Sequence, residues 1–102
     1  MIEVHPIDID GHTFLGIQVE LPKTTLLAVT GANGYIMCGA LDVGLLNTRL
    51  KKRHIIAGRA VGVRTLEELL DAPLESVTEE AEKRGVHAGM KGRDALLRME
   101  KG

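Results

Sequence analysis

A chain of 102 residues with 44% apolar content, one Phe, one Tyr and no Trp must build its core from aliphatic side chains. That length makes one domain, 1–102, and a domain of this size buries only about 60–68% of the surface its unfolded chain exposes. A net charge of −1 argues against attraction of the whole protein to a polyanion, and a single cysteine excludes an internal disulfide.

No stretch has the length and apolarity of a membrane span or the apolar core of a signal peptide, so a cytoplasmic protein without a membrane partner is expected. The charge is unevenly spread. Residues 48–64 carry Arg49, Lys51, Lys52, Arg53, Arg59 and Arg64 with no acid, whereas 65–82 carry seven acids and no base.

From residue 1 to about 40 the pattern is strand-like. Ile2, Val4 and Pro6 alternate with Glu3 and His5, the turn residues Asp8, Ile9, Asp10 and Gly11 follow, and Leu15, Ile17, Val19 and Leu21 then alternate with polar or small residues. This predicts a hairpin of two half-buried strands. Pro22 and Lys23 break the second, 24–30 forms a third, and Asn33-Gly34 favours a two-residue type I′ loop leading to a fourth strand over 35–40.

Beyond residue 40 the spacing turns helical. Leu41, Leu45, Leu46 and Leu50 share one face of a helix with Asp42 in its first turn and Lys51, Lys52 and Arg53 in its last, as the helix dipole favours. Residues 55–63 read as a fifth strand in which Gly58 and Gly62 signal close backbone approach or a bulge. Thr65-Leu66-Glu67-Glu68 is a capping box that opens a short helix, and Pro73 redirects the chain. A helix over about 77–84 should end at Gly85, and Ala95, Leu96 and Met99 mark a short terminal helix. The expected fold is α+β, a two-layer sandwich with a mainly antiparallel N-terminal sheet of about five strands and helices on one face. The half over 1–40 is β-rich, and 41–102 is mainly helical with one strand.

The runs GYIMCGALDVGLL, AGRAVGVRTLEELLDAPLESVTEEAEKRGV and GMKGRDAL resemble the YunC-like family of small bacterial and archaeal proteins, a domain of unknown function. The likeness spans nearly the whole chain. It implies an α/β two-layer domain whose β-rich N-terminal part mediates tetramer formation, and it implies no activity and no catalytic residues.

Cys38 is the candidate nucleophile, because it lies near the end of its strand, shortly before a helix start. A helix N-terminus favours a thiolate and can stabilise an oxyanion, although Asp42 would oppose a thiolate there. A nucleophile also needs a base. His54 follows the helix, but a helix of ~11 residues is ~16 Å long and would carry it to the far end. The competing reading is structural: a two-residue loop at 33 and 34 pairs Val29 with Cys38 and puts the sulfur on an apolar face with Ile36 and Leu27, where cysteine acts as a small hydrophobe.

His5, His12, His54 and His87 show no HxH or HxxxH spacing, and no C-x-x-C is present, so no metal or other cofactor is expected. If Asp10 and Gly11 form a two-residue loop, His5 pairs with Gly16, ~13 Å along the strand from His12. Arg59, Arg64 and Thr65 are candidates for binding a small anion where a strand runs into a capped helix, although Thr65 already caps the free amides there. Lys51, Lys52 and Arg53 could contact nucleic-acid phosphates, but no aromatic lies nearby to stack a base, and charge at a helix C-terminus is the plainer reading of them.

The leading expectation is a cytoplasmic homo-oligomer, a tetramer by the family resemblance, acting as a binding or structural module with no assignable reaction. The alternatives are a small enzyme or redox protein using Cys38 and a nucleic-acid-associated factor using 49–64. A small-molecule ligand cannot be named.

Overall fold

The computed structural model describes residues 1–39, 47–48 and 51–101. Strands β1 (Ile2–Ile9), β2 (His12–Leu21), β3 (Thr24–Thr30) and β4 (Tyr35–Met37) are followed by a 3₁₀ turn (Lys51–Arg53) and β5 (Ala57–Arg59). Helix α1 (Leu66–Asp71), strand β6 (Ser76–Val77), helix α2 (Glu79–Lys83) and helix α3 (Gly92–Lys101) complete the described chain. The fold is α+β. Its six strands form one sheet in the order β1-β2-β3-β4-β5-β6.

The sheet has six strands where about five were expected, and it is mixed: β5 runs parallel to β4, while the other four pairings are antiparallel. A parallel neighbour requires a crossover in place of a hairpin, and residues 38–56 supply it. Asn47 and Thr48 within it are helical, while most of the helix expected from 41 to 53 lies outside the described residues. Strand β5 is also shorter than the expected 55–63, because Val61 is exposed and Gly62 turns the chain away at φ +75°. Among the described residues, the half after residue 40 thus holds two strands where one was expected. Ser76 and Val77 pair with Arg59 and Gly58, so the helix expected from 77 starts only at Glu79.

Turn chemistry is obeyed in the first hairpin. Asp10 and Gly11 both have positive φ (48° and 83°), as a type I′ loop demands, and Ile9 faces His12. His5 accordingly sits opposite Gly16. At the next hairpin Pro22 fixes its own φ near −65°, and Lys23 takes φ +64°, the combination of a type II turn.

The Asn33-Gly34 expectation is overturned. Thr30 pairs with Tyr35, so the connection has four residues, 31–34, and neither Asn33 nor Gly34 has positive φ. The loop is held by tertiary contacts that a turn propensity cannot anticipate. The Gly31 amide donates to the Gly34 carbonyl at 2.9 Å, and Glu100 Oε1 accepts from the Ala32 amide at 2.9 Å and the Asn33 amide at 3.4 Å. The register therefore slips by two residues, which places Cys38 opposite Leu27 and not Val29. Because side chains alternate with a period of two, an even slip leaves every side chain on its expected face.

One face of the sheet carries the core. Phe14, Leu27, Val29, Ile36 and Cys38 cluster with Leu69 and Leu70 of α1, Ala81 of α2, and Ala95, Leu96 and Met99 of α3. Helix α1 begins at the expected cap, with the Glu68 amide donating to Thr65 Oγ1 at 3.1 Å, while the Glu68 carboxylate reaches one residue past the N-cap to accept from the Arg64 amide at 2.7 Å. Helix α2 ends in a Schellman motif, with Gly85 at φ +88° and the Val86 amide returning to the Ala81 carbonyl. On the opposite face, Tyr35, Met37, Ile55 and Ala57 form a small second cluster, whereas Ile2, Val4, Leu15 and Leu21 of β1 and β2 are exposed.

Candidate functional site

Cys38 follows β4 directly and belongs to the main core cluster, with 7% of its surface exposed. Its sulfur accepts a long hydrogen bond from the Leu27 amide at 3.5 Å, and its own amide donates to the Leu27 carbonyl at 3.0 Å. The thiol has a backbone partner and apolar neighbours. Asp42 and the helix start expected to face the thiol lie outside the described residues. His54 does not pair with Cys38: its ring is exposed, and its Nδ1 lies 2.9 Å from Glu80 Oε1.

The anion candidates are largely committed to other partners. Arg59 donates from Nε and Nη2 to the Gly39 carbonyl at 3.2 and 3.0 Å, and its Nη1 pairs with Glu75 at 2.8 Å. This guanidinium ties the end of β4 to the connection before β6. Thr65 Oγ1 caps Glu68, and the Glu68 carboxylate occupies the Arg64 amide, so a carboxylate of the chain itself already sits at the start of α1. An incoming anion there would meet like charge.

The remaining histidines are scattered. His5 Nε2 lies 3.5 Å from Glu3, His12 follows the first turn, and His87 Nδ1 lies 3.1 Å from the Ala88 carbonyl. Among the described residues no three of His, Cys, Asp and Glu converge as a metal-ligand set. Of the basic stretch, Arg49 lies outside the described residues, and Lys52 and Arg53 are exposed beside His54. Glu80 collects both His54 and Lys83, the latter at 3.1 Å. The hydrogen bond from His54, then that from Lys83, holds the Glu80 carboxyl below its usual range.

A groove of about 430 Å³ lies between β1 and α1. Ile7, Leu66 and Leu70 give it an apolar floor, and His5, Glu67, Asp71 and Arg93 ring it. Arg93 Nη2 pairs with Asp71 at 2.7 Å, and among the described residues Glu67 is the rim charge without an ion-pair partner. An apolar floor ringed by a few polar and charged groups is the composition of a small-molecule site. Sequence reading missed it because its walls come from positions 5–7, 66–71 and 93, which no local spacing connects. Among the described residues no helix is long and apolar enough to cross a membrane.

A family model described as a domain of unknown function, DUF1805, matches residues 37–99. The uncharacterized protein YunC of Bacillus subtilis is 60% identical over 101 residues, covering 99% of this chain and 100% of that one. The crystal structure of a protein of unknown function from Thermoplasma acidophilum superposes with a TM-score of 0.86 at 31% identity, covering 97% of this chain and 93% of its own. None of these descriptions carries a reaction. Matched by the family model over most of its length and by a relative from end to end, the chain belongs to the DUF1805 family of YunC-like proteins.

Proposed function

We propose that the protein is a cytoplasmic homo-oligomeric binding or structural module, a tetramer, assembled through the strands of its N-terminal half. The observation that carries this reading is the outer face of β1 and β2, where Ile2 is 70% exposed, Val4 53%, Leu15 41% and Leu21 44%. Ile2 faces Val19 and Val4 faces Ile17 across the ladder, so these side chains are contiguous. Contiguous exposed apolar side chains mark an interaction surface, whereas scattered ones need no explanation. A small aliphatic core also leaves much to gain from burying them.

The edge of β1 favours packing by faces over pairing by edges. The Glu20 amide donates to the Met1 carbonyl at 2.8 Å, which makes 1 and 20 a hydrogen-bonded pair. In an antiparallel ladder such pairs alternate, so Ile2, Val4, Pro6 and Asp8 turn their backbone groups away from β2. Pro6 has no amide to offer at that edge, and proline on an edge strand obstructs strand addition. Cytoplasmic placement agrees with a buried free thiol that needs no oxidising compartment.

Sedimentation equilibrium at micromolar concentration tests the reading. The native chain should run as a tetramer, and Val4→Glu with Leu15→Glu should give smaller species of unchanged secondary structure. A native chain that is strictly monomeric and fully folded overturns it.

A further inference from the structure

We propose that Asn33 is a site of spontaneous deamidation, and that the clasp of α3 on the 31–34 loop sets its rate. Asn33 is exposed, belongs to no strand, and precedes Gly34, which is buried but carries no side chain of its own to hinder attack by its main-chain nitrogen on the Asn33 side chain. The Gly34 nitrogen attacks Asn33 Cγ, a C–N bond forms, and the bond from Cγ to the side-chain nitrogen breaks. Ammonia leaves with the proton lost from the Gly34 amide. Water then opens the resulting succinimide at either carbonyl, to give aspartate or an isoaspartyl linkage. Water is the sole co-reactant, and nothing is oxidised or reduced.

The surroundings of Asn33 make this step a structural event. Its Nδ2 donates to the Met99 carbonyl at 3.3 Å, and its amide and that of Ala32 both donate to Glu100 Oε1. Ring closure needs the Asn33 side chain to leave Met99, so the clasp retards the reaction. Once it has occurred, an acceptor oxygen replaces the donor facing Met99, and a new carboxylate joins that of Glu100 in one small loop. An isoaspartyl linkage also lengthens the main chain by one carbon. Gly34, which would have to shift with it, is closely walled: a Cβ placed there would lie 2.6 Å from the Ile56 carbonyl and 2.8 Å from Met99 Sδ. The modified chain relieves both conflicts by releasing the last turn of α3.

The full chain is incubated at neutral pH and body temperature, and residue 33 is followed by peptide mapping with fragmentation that distinguishes isoaspartate. Asn33 should convert in the native protein. Glu100→Ala, which removes the acceptor of two loop amides, should convert several-fold faster, whereas Glu100→Gln, which keeps an acceptor oxygen, should stay close to wild type. All three chains should convert at one rate when unfolded in urea. Amides of α3 should exchange faster in the modified fraction. Retention of the Asn33 amide in the native chain, or equal native rates for wild type and Glu100→Ala, overturns the proposal.

Discussion

Thr78 and Ala57 hold each other by two hydrogen bonds: the Thr78 amide donates to the Ala57 carbonyl at 2.9 Å, and the Ala57 amide donates to Thr78 Oγ1 at 3.1 Å. The same hydroxyl donates to the Ile55 carbonyl at 2.7 Å and accepts from the Ala81 amide at 3.3 Å as the N-cap of α2. One donor and two acceptor sites are thus all used by a side chain that is 2% exposed. Thr78→Val keeps the shape and strands these groups. With each orphaned buried group costing about 1–3 kcal/mol and a lost cap about 1, a loss of roughly 2–4 kcal/mol is expected. Thr78→Ser, which removes only a methyl, should lose about 1 kcal/mol or less. Urea midpoints at unchanged m-value measure both.

Much of this arrangement was legible in the sequence where a local rule governs it. Alternation gave β1 and β2, Asp10-Gly11 obeyed its turn chemistry, and Thr65 and Gly85 marked helix ends by capping alone. What failed depends on contacts distant along the chain. Asn33-Gly34 carries a strong hairpin signal, yet Glu100, some 67 residues away, decides the loop. Strand β6 has two residues, too few to show any period, and it exists because Gly58 and Arg59 offer an edge. The inward face of Cys38 was anticipated through a wrong register, and it survived because the error was even. The groove beside α1 left no sequence signal, since Arg93 reaches Asp71 only in the folded chain.

Gly92→Ala sets two effects against each other. Alanine is favoured over glycine inside a helix by up to about 1 kcal/mol, and Gly92 opens α3. However, a Cβ at Gly92 would collide with the Leu69 carbonyl oxygen and lie 2.7 Å from Ile36 Cδ1. A backbone carbonyl in α1 cannot step aside as a side-chain tip can. Overpacking of this kind costs about 1–3 kcal/mol and should win. The variant should melt lower, by about 4–8 °C per kcal/mol for a domain of this size, as calorimetry would record. A raised melting temperature would show that α1 and α3 can separate at little cost.

Glu80 gives the acid limb of stability a defined sign. Its carboxyl is held below its ordinary value, first by the hydrogen bond from His54 and next by that from Lys83. A folded-state pKa below the unfolded one contributes stability above the unfolded value, and this contribution is lost as pH falls through the folded value. Wild type should therefore exceed Glu80→Gln in urea midpoint at neutral pH, and the two should converge in strong acid. Added salt should narrow the neutral-pH gap, because the Lys83 side chain is largely exposed. A gap that widens on acidification would reverse the assignment.

Cys38 decides between an inert core thiol and a nucleophile. Cys38 belongs to the buried cluster that holds Leu27, Val29 and Ile36, and its sulfur accepts from the Leu27 amide. A chromogenic disulfide should therefore label the native chain slowly, at a rate set by opening of the fold, and label it at once in urea. Stability should separate the substitutions as well. Cys38→Ala leaves a small void and should cost about 1 kcal/mol, whereas Cys38→Ser places a hydroxyl donor among aliphatic groups at about 1–3 kcal/mol. If alanine proves worse than serine, the sulfur position is wetter than its 7% exposure implies. Rapid labelling of the folded chain would move Cys38 from the core to a reactive site.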